Sequence, residues 1–309
     1  MMKKDKTMTE KTNRSKAKSP LPIKIAVGLC FVLGIGLLVW YLVMEGEKRQ
    51  EAQVQESLKD LYYTADAPEE SPTPTAPPTN PPKEAAGEPT PVPTATPKVM
   101  AERFASLYEV NGDLIGWVTA GDQVDGPVVY RDNTYYLHTD FYGNRNNHGT
   151  IMLDEANDDY ENDSYRILYG HQFSDGTMFS GLKKYNKLSY LQEYPLAEFH
   201  TLYEQEPGQY VIFSVFDASV SKMDGHYIHL RCFDDWEKSA EFRESFLAEL
   251  KERSWYEIPV EVSAEDRILC LVTCSYNDRN GRLMVFTRAL RPGETVQSLT
   301  NLMAEAREK

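Results

Sequence analysis

Cysteine is scarce in this chain, four residues in 309, which excludes a scaffold stapled by a dense disulfide framework. Basic residues are in the minority, 33 Lys and Arg against 47 Asp and Glu, for a formal charge of −14. A surface so short of cations is a poor match to phosphate, so general nucleic-acid binding is excluded. Histidine is rarer still, with six residues. Only His226, His229 and Cys232 lie close enough together to suggest metal ligands. Within a strand His226 and Cys232 would face one way and His229 the other, so a metal site is not expected there. No internal repeat is visible. At 41% hydrophobic and 11% aromatic content, the chain as a whole is not disordered.

What charge there is falls unevenly. Residues 1–24 hold eight basic side chains (Lys3, Lys4, Lys6, Lys11, Arg14, Lys16, Lys18, Lys24) and two acidic ones (Asp5, Glu10), a charge of +6 that leaves −20 for the remainder. The single long apolar run follows at once: Ile25–Met44 carries no charge over 20 residues. As a helix it is about 30 Å long, the thickness of one hydrocarbon core, with Trp40 and Tyr41 near its far end, where aromatic belts sit. The positive-inside rule places residues 1–24 in the cytoplasm as a basic tail. It makes 25–44 a transmembrane signal-anchor and puts the rest outside the cell membrane. A cleaved signal peptide is the rival reading, but no small-residue cleavage site follows Met44. Residues 45–65 read as a polar helical stalk. Residues 66–98 form a Pro/Thr-rich linker, since 66–97 hold 11 of the 18 prolines; such a segment buries no core and reaches about 90 Å if fully extended. Residues 99–309 remain as one folded domain with length enough for a substantial core.

Within that domain the pattern predicts an amphipathic helix over 99–109, with Phe104, Leu107 and Tyr108 on one side and Asn111-Gly112-Asp113 as its stop. Short β-rich runs follow at 115–118, 127–130, 150–153, 165–169, 209–216, 227–233, 268–273 and 283–290. Short helices are expected in 177–191, and a longer one over 235–251 with Phe242, Phe246 and Leu250 spaced by four. Many short strands separated by turns indicate a mainly β sandwich or barrel.

Two strand ends attract attention. Ile268–Thr273 leads into Cys274 and then the polar Ser275-Tyr276-Asn277-Asp278, which places that thiol at a partly exposed strand terminus, as reactivity requires. Cys270, four residues earlier, would lie about 13 Å away on the same face, beyond disulfide reach. His171 likewise follows a β-rich run, with Gly170 leaving room for close approach. Asn280-Gly281 reads as a turn, so Arg282 starts the strand paired with the one ending at Cys274; a guanidinium there is placed to hold developing oxyanion charge. Arg288 and Arg291 compete for that role, but Arg288 lies about 20 Å further along the strand. His138, His148 and His200 show no partner pattern.

Four segments together resemble the class B sortases, the membrane-anchored cysteine transpeptidases of Gram-positive bacteria. Asn111–Val118 is similar to the family's entry into its first strand. The run through Pro127-Val128-Val129, Asp132-Asn133 and Tyr135-Tyr136-Leu137 is similar to its next block. Ile167–His171, with Asp175–Phe179, resembles the histidine motif. Leu271–Cys274 followed by Gly281-Arg282-Leu283 resembles the cysteine and arginine motif. One departure is Cys270, where the family's TLxTC signature begins with threonine. Val272 fills the variable position, often serine in relatives.

The resemblance implies an eight-stranded sortase-type β-barrel with an N-terminal helix and a helix inserted before the cysteine strand. It implies His171, Cys274 and Arg282 as the catalytic set, working without a cofactor. The implied reaction cleaves a C-terminal sorting signal of secreted surface proteins and joins the acyl fragment to an amine of a peptidoglycan precursor or a pilin. Two other readings compete: a secreted cysteine hydrolase that releases product to water, and a non-enzymatic binding module on a stalk.

Overall fold

The computed structural model describes residues 23–64, 98–173, 176–204, 208–274 and 281–309. Most of the basic tail, nearly all of the Pro/Thr-rich linker, and residues 275–280, where the Asn280-Gly281 turn is expected to begin, lie outside the described residues. The chain divides into two compact units, Met1–Gln50 and Glu51–Lys309. The first contains the start of helix α1 (Ile23–Thr64), whose side chains from Leu29 to Val43 are exposed. Among the described residues this is one helix long and apolar enough to cross a membrane, a property of its length and composition.

The second unit is built on a closed barrel of eight strands. These are β1 (Leu114–Ala120), β2 (Val124–Tyr130), β3 (Ile151–Leu153), β4 (Tyr165–Tyr169), β5 (Leu196–Thr201), β6 (Gly208–Ser219), β8 (Ile268–Cys274) and β9 (Gly281–Ala289). Their order is β1-β2-β3-β4-β8-β9-β6-β5, closed by β5 on β1. Two pairings are parallel, β2 with β3 and β4 with β8. The remaining neighbours are antiparallel. A separate ribbon pairs β7 (Tyr256–Glu257) with β10 (Arg307–Glu308). The closed sheet leaves no long unpaired edge. Gly116 is required where β1 meets β5, because a Cβ there would lie 2.3 Å from the His200 carbonyl oxygen.

The strand expected over 227–233 does not form. Only an isolated bridge joins Tyr227 to Ser219, and the stretch runs irregularly into α4 (Phe233–Lys238). Its apolar alternation is real: Ile228, Leu230 and Cys232 are buried. They pack without joining the sheet. The helix expected over 235–251 is two helices, α4 and α5 (Ala240–Arg253), parted at Ser239, whose hydroxyl caps α5 by accepting from the Phe242 N–H at 3.1 Å. On the inward side Trp236, Phe246 and Leu250 are buried. Helix 99–109 is shorter than its pattern, a 3₁₀ turn Glu102–Phe104 followed by α2 (Ala105–Val110). Phe104 and Leu107 are fully buried there, while Tyr108 is exposed. Short helices do occupy part of 177–191, as a 3₁₀ run Phe179–Asn186 and α3 (Leu188–Glu193). The chain ends with α6 (Val296–Met303) before β10.

The compact unit begins well before residue 99. Within it the Glu51–Thr64 part of α1 packs on the barrel, with Leu58 and Tyr62 buried. The Tyr62 ring stacks on Trp117 at 4.3 Å between centroids, tilted by 5°. Its hydroxyl lies 2.8 Å from His200 Nδ1. His200 Nε2 donates to the Glu204 carbonyl at 2.7 Å, so both ring nitrogens are held by hydrogen bonds.

Candidate active site

The two strands that carry His171 and Cys274 are parallel neighbours, and this pairing brings them together. Tyr169 pairs with Val272, and the Gly170 N–H continues the ladder to the Val272 carbonyl at 3.1 Å. His171 and Cys274 each lie two residues beyond that pair, so they emerge level at the same rim on strands about 4.8 Å apart. On the other side of β8, Arg282 at the start of β9 stands directly opposite Cys274 in the antiparallel register, which gives the two side chains a common face. Residues from two distant stretches of sequence thus sit side by side at the ends of β4, β8 and β9. Gly170 allows the crowding, since a Cβ there would lie 2.5 Å from Phe179 Cγ.

The three residues line one cleft of about 510 Å³. Tyr136, Leu137, Thr150, Met152, Tyr169 and Gly170 supply part of the wall, and Val220 with Tyr227–Arg231 supplies more. The irregular stretch after β6 therefore serves as cleft wall rather than as barrel strand. Cys274 is partly exposed. The other cysteines of the second unit differ sharply. Cys270 is fully buried, and burial pushes its thiol well above the ordinary range. Burial raises Cys232 to about 12. Both stay protonated and inert near neutral pH.

His171 Nε2 donates to the Leu137 carbonyl at 2.9 Å. That bond orients the ring, with Nε2 as its donor. His138 stacks on the ring at 6.3 Å and Phe173 flanks it at 5.6 Å. Arg282 Nη1 donates to the Gly281 carbonyl at 2.9 Å. The competing arginines are engaged elsewhere. Arg288 is buried and makes two 2.7 Å bonds to Glu294 and one to the Glu261 carbonyl. Arg291 forks onto Asp266 at 2.8 and 2.7 Å. Thr273, next to Cys274, is buried at the cleft with its hydroxyl unpartnered among the described residues.

Sequence reasoning missed a second group at this cleft. Asp154, fully buried just after β3, accepts from Arg231 Nε at 2.8 Å, from Arg231 Nη2 at 3.0 Å and from the Tyr169 hydroxyl at 2.8 Å. Burial and the neighbouring carboxylate drive the Tyr169 hydroxyl far above its ordinary range, so it remains a donor. Nothing in the spacing of 154, 169 and 231 announces this cluster. Among the described residues, no group of three or more His, Cys, Asp or Glu is arranged to hold a metal ion, and His226 and His229 are both exposed.

No family model matches this chain. Individual proteins do. Sortase B of Listeria monocytogenes is 31% identical over 191 residues, 60% of this chain and 72% of that protein. Sortase B of Staphylococcus aureus is 31% identical over 193 residues, 61% of this chain and 75% of that one. Among solved structures, sortase B from Bacillus anthracis in complex with AAEK1 matches with a TM-score of 0.60 at 26% identity, covering 79% of this chain and 98% of its own. A Staphylococcus aureus sortase B–substrate complex matches with a TM-score of 0.53 at 26% identity, covering 63% and 87%. The barrel agrees with these relatives in fold, and the sequence agrees over nearly three quarters of each curated one: the chain belongs to the sortase B family.

Proposed function

We propose that this protein is a membrane-anchored cysteine transpeptidase in which Cys274 is the nucleophile, His171 the proton carrier and Arg282 the oxyanion and substrate-positioning group. The observation that carries the reading is the alignment of these three residues across adjacent strands at one open cleft. In the first half-reaction the Cys274 thiolate attacks the scissile carbonyl of a sorting peptide. The carbon–nitrogen bond breaks, and the departing amine takes a proton from His171 Nδ1, leaving a thioester. In the second, an acceptor amine attacks the thioester carbonyl, His171 recovers a proton from it, and the thiolate is released. One amide is exchanged for another. Developing charge on the carbonyl oxygen is met by the Arg282 guanidinium.

The acceptor in this reading is an amine of a peptidoglycan precursor or a pilin. Ile25–Met44 acts as a signal-anchor that keeps the basic tail in the cytoplasm and the barrel outside, where such substrates are found. The existence of a Staphylococcus aureus sortase B–substrate complex among similar solved structures supports a substrate site on this fold.

The test is intact mass spectrometry of the full chain in detergent micelles, incubated with NPxTx and xPxTG peptides, with and without an added amine. A Cys274-linked acyl adduct that transfers to the amine is expected, and it vanishes in Cys274→Ala. An adduct that passes only to water identifies a hydrolase. A folded protein that forms none identifies a binding module.

A further inference from the structure

The chain is acidic, yet among the described residues no aspartate or glutamate lines the cleft; its basic lining is Arg231, Arg282, His171 and His229. Arg231 is held rigidly. Asp154 takes the Nε and Nη2 edge of its guanidinium in a two-point fork, and Glu155 accepts from Nη2 at 3.2 Å from outside the lining. Asp154 is itself fixed by the Tyr169 hydroxyl and, at 2.9 Å, by the Ala156 N–H. Such a fork locks the guanidinium plane and cuts the entropy lost when a further acceptor binds. The Arg231 side chain is still 48% exposed, and its Nη1 donates to no partner among the described residues. An arginine clamped on its inner edge and open on its outer one is a preorganised recognition group.

We propose that this cleft selects a peptide bearing a carboxylate side chain near its scissile bond, and that Arg231 is the residue that reads it. The inference rests on the transpeptidase reading of the cleft. Register sets the distance. The Asp154 N–H bonds the Ile167 carbonyl at 2.9 Å, four residues before His171 on β4, about 13 Å at 3.3 Å per residue. An extended peptide spans that backbone distance in about four residues, which sets the stretch of substrate over which the Arg231 guanidinium, forked onto Asp154, is sought. A carboxylate there gains a charge-assisted bond from Nη1, the edge of the guanidinium that Asp154 and Glu155 leave open. A lysine there finds no carboxylate among the described residues of the cleft lining and meets N–H donors in place of an acceptor, a repulsive element against the wrong substrate.

The experiment uses the full chain in detergent micelles and peptides of the NPxTx and xPxTG types, with Glu, Gln or Lys placed in turn at each position up to four residues from the scissile bond. Acylation of Cys274 is followed by mass, and kcat and KM are measured for each peptide. At one position Glu is expected to exceed Lys in kcat/KM by about tenfold or more, mainly through KM. The double variant Arg231→Gln with Asp154→Asn removes both halves of the pair and avoids stranding a buried charge. It is expected to bring the Glu-to-Lys ratio to within about twofold, while Arg231→Lys keeps the preference for Glu. Equal kcat/KM for the three peptides at every position overturns the proposal. So does a preference that survives undiminished in the double variant, because Arg231 is then a structural tie only. Failure of every peptide to acylate a Cys274 that still reacts with an alkylating agent overturns the transpeptidase reading and this inference with it.

Discussion

Cys270 and Cys274 share a strand and differ in everything that governs reactivity. The first is buried with its thiol pushed well up, and the second opens on the cleft. Native full-length protein treated with iodoacetamide between pH 7 and 9 should be alkylated at Cys274 and spared at Cys232 and Cys270, as peptide mapping would reveal. Labelling of Cys270 without unfolding would contradict its burial. The raised Cys232 thiol carries a linkage consequence: its folded-state value of about 12 lies above the unfolded one of 9.0. Its contribution to stability is complete below about pH 9 and declines as pH rises from there towards 12. Arg282→Ala should lower kcat by about a hundredfold with an unchanged melting temperature, in line with loss of one oxyanion donor; normal turnover would remove Arg282 from the mechanism. Arg288 belongs to stability instead. Its guanidinium holds the Glu294 carboxyl below the ordinary range. Glu294→Gln should cost about 3 kcal/mol at pH 7 by leaving a buried cation unpaired. The cost should shrink as pH falls through the carboxylate range, where the wild-type pair is itself lost; denaturant melts at pH 7 and pH 3 measure it.

At the scale of elements, strand existence was readable and strand partnership was not. The β-rich run Tyr165–Tyr169 and the continuous apolar run Ile268–Thr273 mark strands, and both are present at or near the expected limits. Their parallel pairing was invisible, because nearly a hundred residues separate them and nothing local encodes the neighbour. The Cys274–Arg282 pairing was legible, since a short turn between antiparallel strands fixes register by itself. Strand β5 (Leu196–Thr201) went unnoticed: Pro195, Glu198 and His200 weaken its pattern, and it forms because β1 and β6 offer it two partners. The stretch 227–233 failed in the opposite sense. It has a strand's alternation but no free edge to join. Close approach of β1 to β5 gives an element-level prediction. Gly116→Ala should destabilise the barrel by about 3 kcal/mol, the upper range for forcing extra volume into packed surroundings, read as a shift in the denaturant midpoint.

At the scale of the whole molecule, the boundary of the folded unit matters most for experiment. Tyr62, near the end of α1, touches Phe104 at 5.5 Å between rings and takes a cation–π contact from Arg103 at 5.3 Å. The two flanks of the Pro/Thr-rich segment therefore meet on one unit. Removing Glu51–Thr64 exposes Trp117 and Phe104, so a chain starting at residue 99 should melt well below one starting at Glu51. Equal melting temperatures would show the docked helix to be dispensable. Composition and charge order alone determined the apolar helix of membrane length, the basic segment before it and the mainly β character of the rest, because these follow from residue type and short-range period. Motifs at strand ends were enough to nominate Cys274, His171 and Arg282. Tertiary structure decided what depends on long-range pairing: which strands adjoin, which arginine is engaged elsewhere, that Asp154 clamps Arg231 at the cleft, and that Tyr62 is core rather than stalk. Burial and register are properties of the closed barrel, and no single segment contains them.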